Sequence, residues 1–89
     1  MKFKISPDLN KELKRIKFHN QKLALKIEKQ LILFEQNHTH TSLRVNKLTG
    51  NFDDVWSISI DMSVRMLIFL RQNEAYFFDI GTHNQVYKK

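Results

Sequence analysis

From Trp56 to Ile60 an apolar residue recurs at every second position, WSISI, which predicts a strand with Trp56, Ile58 and Ile60 on a covered face and Ser57 and Ser59 on the other. VRMLIFLR at 64–71 is apolar on both faces apart from its arginines, as a central strand is, and EAYFFDI at 74–80 predicts a third strand. The DMS and QN links at 61–63 and 72–73 are short enough for hairpins. At the other end of the chain, KFKI at 2–5 alternates, with Phe3 and Ile5 on one side, and reads as a first strand.

Between these segments the period lengthens to that of a helix. Ser6 is a capping residue, Pro7 suits a first turn that needs no N–H, and Asp8 favours the positive end of the helix dipole. A helix over about 8–17 then aligns Leu9, Leu13 and Ile16. His19 and Asn20 interrupt it. A second helix over about 20–36 aligns Leu23, Ile27, Leu31 and Phe34, with Ala24 beside them, so the two form a hairpin with one shared apolar seam. NHTHTS at 37–42 is a polar turn, and LRVNKLTGN at 43–51 is a mixed connector ending in a Thr-Gly-Asn turn. The expected fold is α+β: a small antiparallel sheet, made mixed by the N-terminal strand, with the helix hairpin packed on one face.

Pairing arithmetic then places side chains. With QN as the tight turn, partners across the last hairpin sum to about 145, which sets Arg65 opposite Ile80 and Gly81. The DMS turn brings Arg65 near Ser59, on the face away from the helices, since Val64, Met66 and Ile68 share the covered face with Trp56, Ile58 and Ile60. The DIGTHNQVYKK ending therefore converges on Arg65. His83 and Tyr87, four apart, share a side whether this tail is helical or extended. Arginine chelates phosphate, histidine exchanges protons near neutral pH and tyrosine stacks on bases, so the cluster has the inventory for phosphodiester chemistry. Its bland alternatives are an ion pair of Arg65 with Asp61 or Asp79, and a merely structural role for the two rings. His38 and His40 in HTHT have no third ligand close in sequence and read as a solvated turn. Trp56 reads as core.

Composition narrows the classes. The 89 residues suit one domain spanning 1–89, and the absence of cysteine excludes disulfides, thiolate nucleophiles and cysteine-ligated zinc. Apolar runs such as LILF and MLIFL are far short of a bilayer span, and MKFKISPD lacks the apolar stretch of a signal peptide, so a cytoplasmic protein without a membrane partner is expected. A formal charge of +6 favours a polyanionic partner. Lys11, Lys14, Lys22, Lys26 and Lys29 are spread round the helices, as on a solvated face or against ribosomal RNA phosphates.

The elements LRVNKLTG at 43–50, WSISI at 56–60, VRMLIF at 64–69 and DIGTHNQVY at 79–87, in this order behind a strand and a helix hairpin, resemble the RelE/ParE superfamily of type II toxin–antitoxin toxins, and most its RelE, YafQ and YoeB-type ribonucleases. The resemblance implies an mRNA endoribonuclease, needing no metal or other cofactor, that acts at the ribosome by attack of the RNA 2′-hydroxyl on the adjacent phosphate. It implies a cognate acidic antitoxin as partner. By matching motifs it makes Arg65 the phosphate-stabilising arginine, His83 the proton-transfer residue and Tyr87 the aromatic that orients substrate. Lys47 would be a basic residue of the connector belonging to the catalytic set, His40 an auxiliary acid or base, and Arg44, Lys47, His40 and Lys88 the RNA contacts. Asn46 stands where many relatives carry a basic residue or histidine, which leaves open a catalytically silent homologue. A ParE-like toxin directed at gyrase is the other alternative, against which the GTHNQVY ending weighs.

Overall fold

The computed structural model describes residues 1–48 and 54–87, with His83 and Tyr87 described by their backbone alone. The turn expected at Thr49 to Asn51, and Lys88, lie outside the described residues. Strand β1 (Phe3–Ile5) passes through Ser6 into helix α1 (Pro7–His19), with Ser6 Oγ accepting the Leu9 N–H at 3.1 Å as a cap. One residue then serves two helices. Asn20 donates its N–H to Ile16 O at 2.7 Å, closing α1, and its side chain accepts from Leu23 N at 3.1 Å, opening α2 (Gln21–Gln36). The interruption expected at 19–20 is thus a shared cap that folds the hairpin.

A 3-10 turn (Thr41–Leu43) leads to the two-residue strand β2 (Asn46–Lys47), followed by β3 (Val55–Ser59), β4 (Val64–Arg71), β5 (Glu74–Thr82) and a short helix α3 (His83–Tyr87). The sheet order is β1-β5-β4-β3-β2, with β1 parallel to β5 and every other pair antiparallel. The central position expected for VRMLIFLR is borne out, as are both hairpins. Arg65 pairs with Ser59 on one side and Gly81 on the other. The register of β4 and β5 slips by one between Leu67 and Ile68, where Phe78 is the extra residue of a bulge.

Two apolar layers cover the two faces. Under α1 and α2, Leu9, Ile27, Phe34, Ile58, Met66 and Phe77 form the main core. Phe77 meets Phe34 and Phe3 edge-on, both at 5.2 Å between ring centroids. Trp56 is only half-buried, packed against the margin of this core. The other face has a small cluster of its own, Leu48, Val55, Leu67 and Val86, through which α3 is fastened to the sheet. Gln30, on the apolar face of α2, is buried, and its amide donates to Ser59 O at 2.8 Å and Ser42 O at 3.4 Å, tying the helix to the end of β3 and to the 3-10 turn. Among the described residues no helix is long and apolar enough to cross a membrane.

The β3–β4 link is built on Asp61, whose Oδ1 accepts from Ser63 N at 2.9 Å and Val64 N at 2.8 Å, with Lys26 Nζ 3.6 Å from Oδ2. Burial alone would raise this carboxyl's pKa, but the two N–H groups, Lys26 and the Ser63 hydroxyl together outweigh it and hold the value below its usual 3.8. A depressed folded-state pKa gives stability that is complete above the unfolded value and is lost as the pH falls through the folded one. Asp61→Asn should therefore flatten the loss of stability on acidification below about pH 4. Urea titrations at neutral and acid pH check this, and an unchanged acid slope in the variant would contradict it.

Candidate functional site

The outer end of the sheet, on the α3 face, is organised around Arg65. Its position in β4 makes it a neighbour of Ser57 and Ser59 rather than of the core. The guanidinium donates from Nε and Nη2 to Ser57 Oγ at 3.1 and 3.0 Å, and again from Nη2 to Arg44 O at 2.9 Å. Ser57 is fully buried, so this anchor is fixed. Arg44 closes the 3-10 turn in the left-handed region, at φ 46° and ψ 53°, a conformation that costs an ordinary residue about 1 kcal/mol and here accompanies the turn of its carbonyl toward Arg65. Three of the five N–H bonds of the guanidinium are engaged, and the two on Nη1 make none of these contacts. Nη1 is the end that can meet an anion. Of the two carboxylates weighed as partners, Asp61 holds its own turn and Lys26, while Asp79 Oδ1 accepts from Ile80 N at 2.9 Å.

Directly opposite Arg65 stands Gly81, and the chain turns there into α3. A Cβ on Gly81 would lie 2.9 Å from Gln85 Oε1, 3.1 Å from Gln85 Cβ and 3.3 Å from Val86 Cγ1. A larger residue would have to push back the Gln85 amide and crowd Val86, so glycine suits the close return of the helix over the sheet. Thr82 and Gln85 then cap it reciprocally: Thr82 N–H donates to Gln85 Oε1 at 2.8 Å and Gln85 N–H to Thr82 Oγ1 at 3.3 Å. That Thr-x-x-Gln spacing is a helix start legible in the sequence, and it selects the helical alternative for the tail. His83 opens α3, two residues beyond Gly81, and Tyr87 follows one helical turn later on the same side of the backbone. Val86 packs on Val55 and Leu67, so α3 occupies the same face of the sheet as Arg65.

The connector is placed differently from the expectation. Lys47 pairs with Trp56, which faces the helices, whereas Asn46 pairs with Ser57 and the next residue, Leu48, joins the cluster under α3. Cross-strand partners share a face, so Asn46 and not Lys47 stands on the side of Arg65. Lys47, expected to add a positive charge to the cluster, thus starts from the helix side of the sheet edge. Without knowing that 46–47 is a strand, its inward and outward positions are not assignable. His40 is also drawn elsewhere. Its Nδ1 accepts from Ser42 N at 3.1 Å, capping the 3-10 turn, and it borders a hollow with Trp56 and Leu70. Nδ1 being an acceptor, the neutral ring carries its proton on Nε2. Arg44, whose carbonyl reaches Arg65, leaves its own side chain exposed. His38 lies edge-on to Phe34 at 6.0 Å, and among the described residues no group of three or more histidines or carboxylates is placed to hold a metal.

No family model matches the sequence, and no curated protein matches it either. The fold does have solved counterparts. The chain superposes on the YoeB–YefM complex from Staphylococcus aureus with a TM-score of 0.74 at 20% identity, over 93% of this chain and 97% of the other. It matches the YoeB/ParE toxin from Agrobacterium tumefaciens at 0.76 and 13% identity, over 93% and 99%. It matches the DinJ–YafQ complex from E. coli at 0.77 and 14% identity, over 97% of each chain. The likeness to RelE/ParE-type toxins expected from the sequence is thus borne out for the fold, over nearly the whole length of both partners.

Proposed function

We propose that this chain, which has the fold of the YoeB, YafQ and YoeB/ParE toxins, is the toxin of a type II toxin–antitoxin pair and cleaves mRNA at the ribosome. The observation that carries the reading is the fastened Arg65, held through Nε and Nη2 with Nη1 outside those contacts, opposite the glycine that precedes the His83 helix. In the proposed reaction the RNA 2′-hydroxyl gives its proton to solvent water, its oxygen attacks the adjacent phosphorus and the 5′-oxygen leaves, giving a 2′,3′-cyclic phosphate and a 5′-hydroxyl end. Arg65 binds the phosphate and stabilises the charge that develops on its oxygens. His83 supplies the proton to the leaving oxygen, a task suited to a group that titrates near neutrality. Tyr87 orients the substrate, and Arg44, Lys47, His40 and Lys88 are the further RNA contacts of this reading, Lys47 and His40 from the other side of the sheet edge.

The partner that silences such a toxin is an acidic antitoxin segment that folds over the basic surface and masks Arg65 and His83, as suits a chain of charge +6. Two of the solved counterparts are themselves complexes, with YefM and with DinJ. One observation favours a second reading: Asn46, on the site face, offers no group to take the proton from the 2′-hydroxyl, so a homologue that binds without cutting has a physical basis. Controlled expression in growing cells decides between them. The nuclease reading expects growth arrest with new internal mRNA breaks bearing cyclic phosphate ends. Arrest with intact mRNA and DNA-damage signalling would point to gyrase, and neither phenotype beside tight antitoxin binding would point to the silent homologue.

A further inference from the structure

On the same face as Arg65, four residues further along β4, Phe69 is 43% exposed, and its cross-strand partner Tyr76 is 38% exposed. Phe69 is stacked on Phe78 at 4.3 Å with 20° between the ring planes, so one side of the ring is braced and the other is available. Lys4 pairs with Tyr76 across the β1–β5 edge and is exposed on that face, as is Lys2 two residues before it. A shallow depression of about 890 Å³ runs over these residues. Two carboxylates also border it: Asp54 is paired with Arg71 at 3.0 Å, and Glu74 lies at the tip of the hairpin.

We infer that Phe69 and Tyr76 form a stacking platform for unpaired bases of single-stranded RNA, with Lys4 and Lys2 on its phosphates, a subsite that rests on the ribonuclease reading above. Two rings on adjacent strands of an open sheet face offer flat π surfaces to bases of any identity, and cations at the sheet edge meet the backbone. An apolar protein partner would have no use for the lysine rim. At about 3.4 Å per residue, the platform lies roughly 14 Å from Arg65 along one strand, so an RNA chain held at the scissile phosphate reaches it within a few nucleotides, skirting α3 where that helix covers Leu67.

The test is fluorescence anisotropy of the full chain with a short labelled single-stranded RNA whose 2′-hydroxyls are all methylated, so that it binds uncut. Phe69→Ala and Tyr76→Ala should each weaken binding about 5- to 150-fold with the salt slope unchanged. Lys4→Ala should lower the slope by about one. Tyr76→Phe keeps the ring and should bind as the parent does. Phe69→Leu keeps apolar bulk without a π surface and should not, which separates stacking from any loss of folding. Wild-type affinity in Phe69→Leu overturns the platform. So does weakened binding of an acidic antitoxin with RNA binding intact, which would make the surface a protein-docking site. A parent chain that breaks mRNA in cells yet has no affinity for free RNA also overturns the platform while sparing the nuclease reading. A parent that neither binds nor breaks RNA removes both.

Discussion

Arg65→Ala should lower mRNA cleavage by about 100- to 1,000-fold while leaving the chain folded, the usual effect of deleting one preorganised donor from a site where charge develops. The side chain is half-buried and lies outside both apolar clusters, so its loss removes chemistry more than packing. Arg65→Lys should recover little. An ammonium is a single point of charge and cannot hold Ser57 Oγ through two nitrogens, reach Arg44 O and still present a free end to phosphate. Ser57→Ala should fall between: the guanidinium survives, but its aim is no longer fixed. The three variants can be ranked by primer-extension mapping of message breaks in a translation extract, with thermal melts alongside. Cleavage by Arg65→Ala at the parental rate would end the assignment of this arginine.

The largest expected loss of stability is at Phe77. Phe77→Ala should cost about 3–5 kcal/mol, because the ring is fully buried between Phe3 and Phe34 and the three strands and helices around it cannot collapse into the space. For a domain of this size such a loss is a large share of the total, so the variant should be partly unfolded at growth temperature. The backbone at this residue is engaged too, since Phe77 O accepts the Ser6 N–H at 2.9 Å where the first strand becomes the first helix. Urea unfolding at neutral pH gives the number, and a loss under about 1 kcal/mol would mean that the site repacks as larger cores do. Phe69→Ala is the natural contrast, an exposed ring outside either apolar cluster.

What could be read beforehand follows from where period and burial coincide. Trp56, Ile58 and Ile60 alternate against two serines because one face of β3 is covered by the helices, and the outward placement of Arg65 followed from that alternation and a turn length. The helix hairpin was legible from Ser6, Pro7 and Leu9 to Phe34, although Asn20 serves both helices where a simple break was expected. Gln30 was hidden because a glutamine within an apolar stripe carries no sign of a distant carbonyl partner. Strand β2 was hidden by its length: two residues cannot display a period, so nothing in the sequence assigns Asn46 and Lys47 to opposite faces. Gly81 is visible as a glycine at the end of an apolar run, but what crowds it, the return of Gln85 and Val86 over the sheet, is a tertiary contact that spacing alone does not encode.

The extra residue at Phe78 has an arithmetic consequence. Ahead of it, odd-numbered Ala75 and Phe77 point to the interior; behind it, even-numbered Ile80 does, and Asp79 faces outward beside Leu67. A β5 of regular parity would send the Asp79 carboxylate into hydrocarbon, expose Ile80, and launch the terminal helix from the side already filled by α1 and α2. Whether an even or an odd number of residues separates the hairpin tip from Gly81 thus determines which side of the sheet His83 starts from.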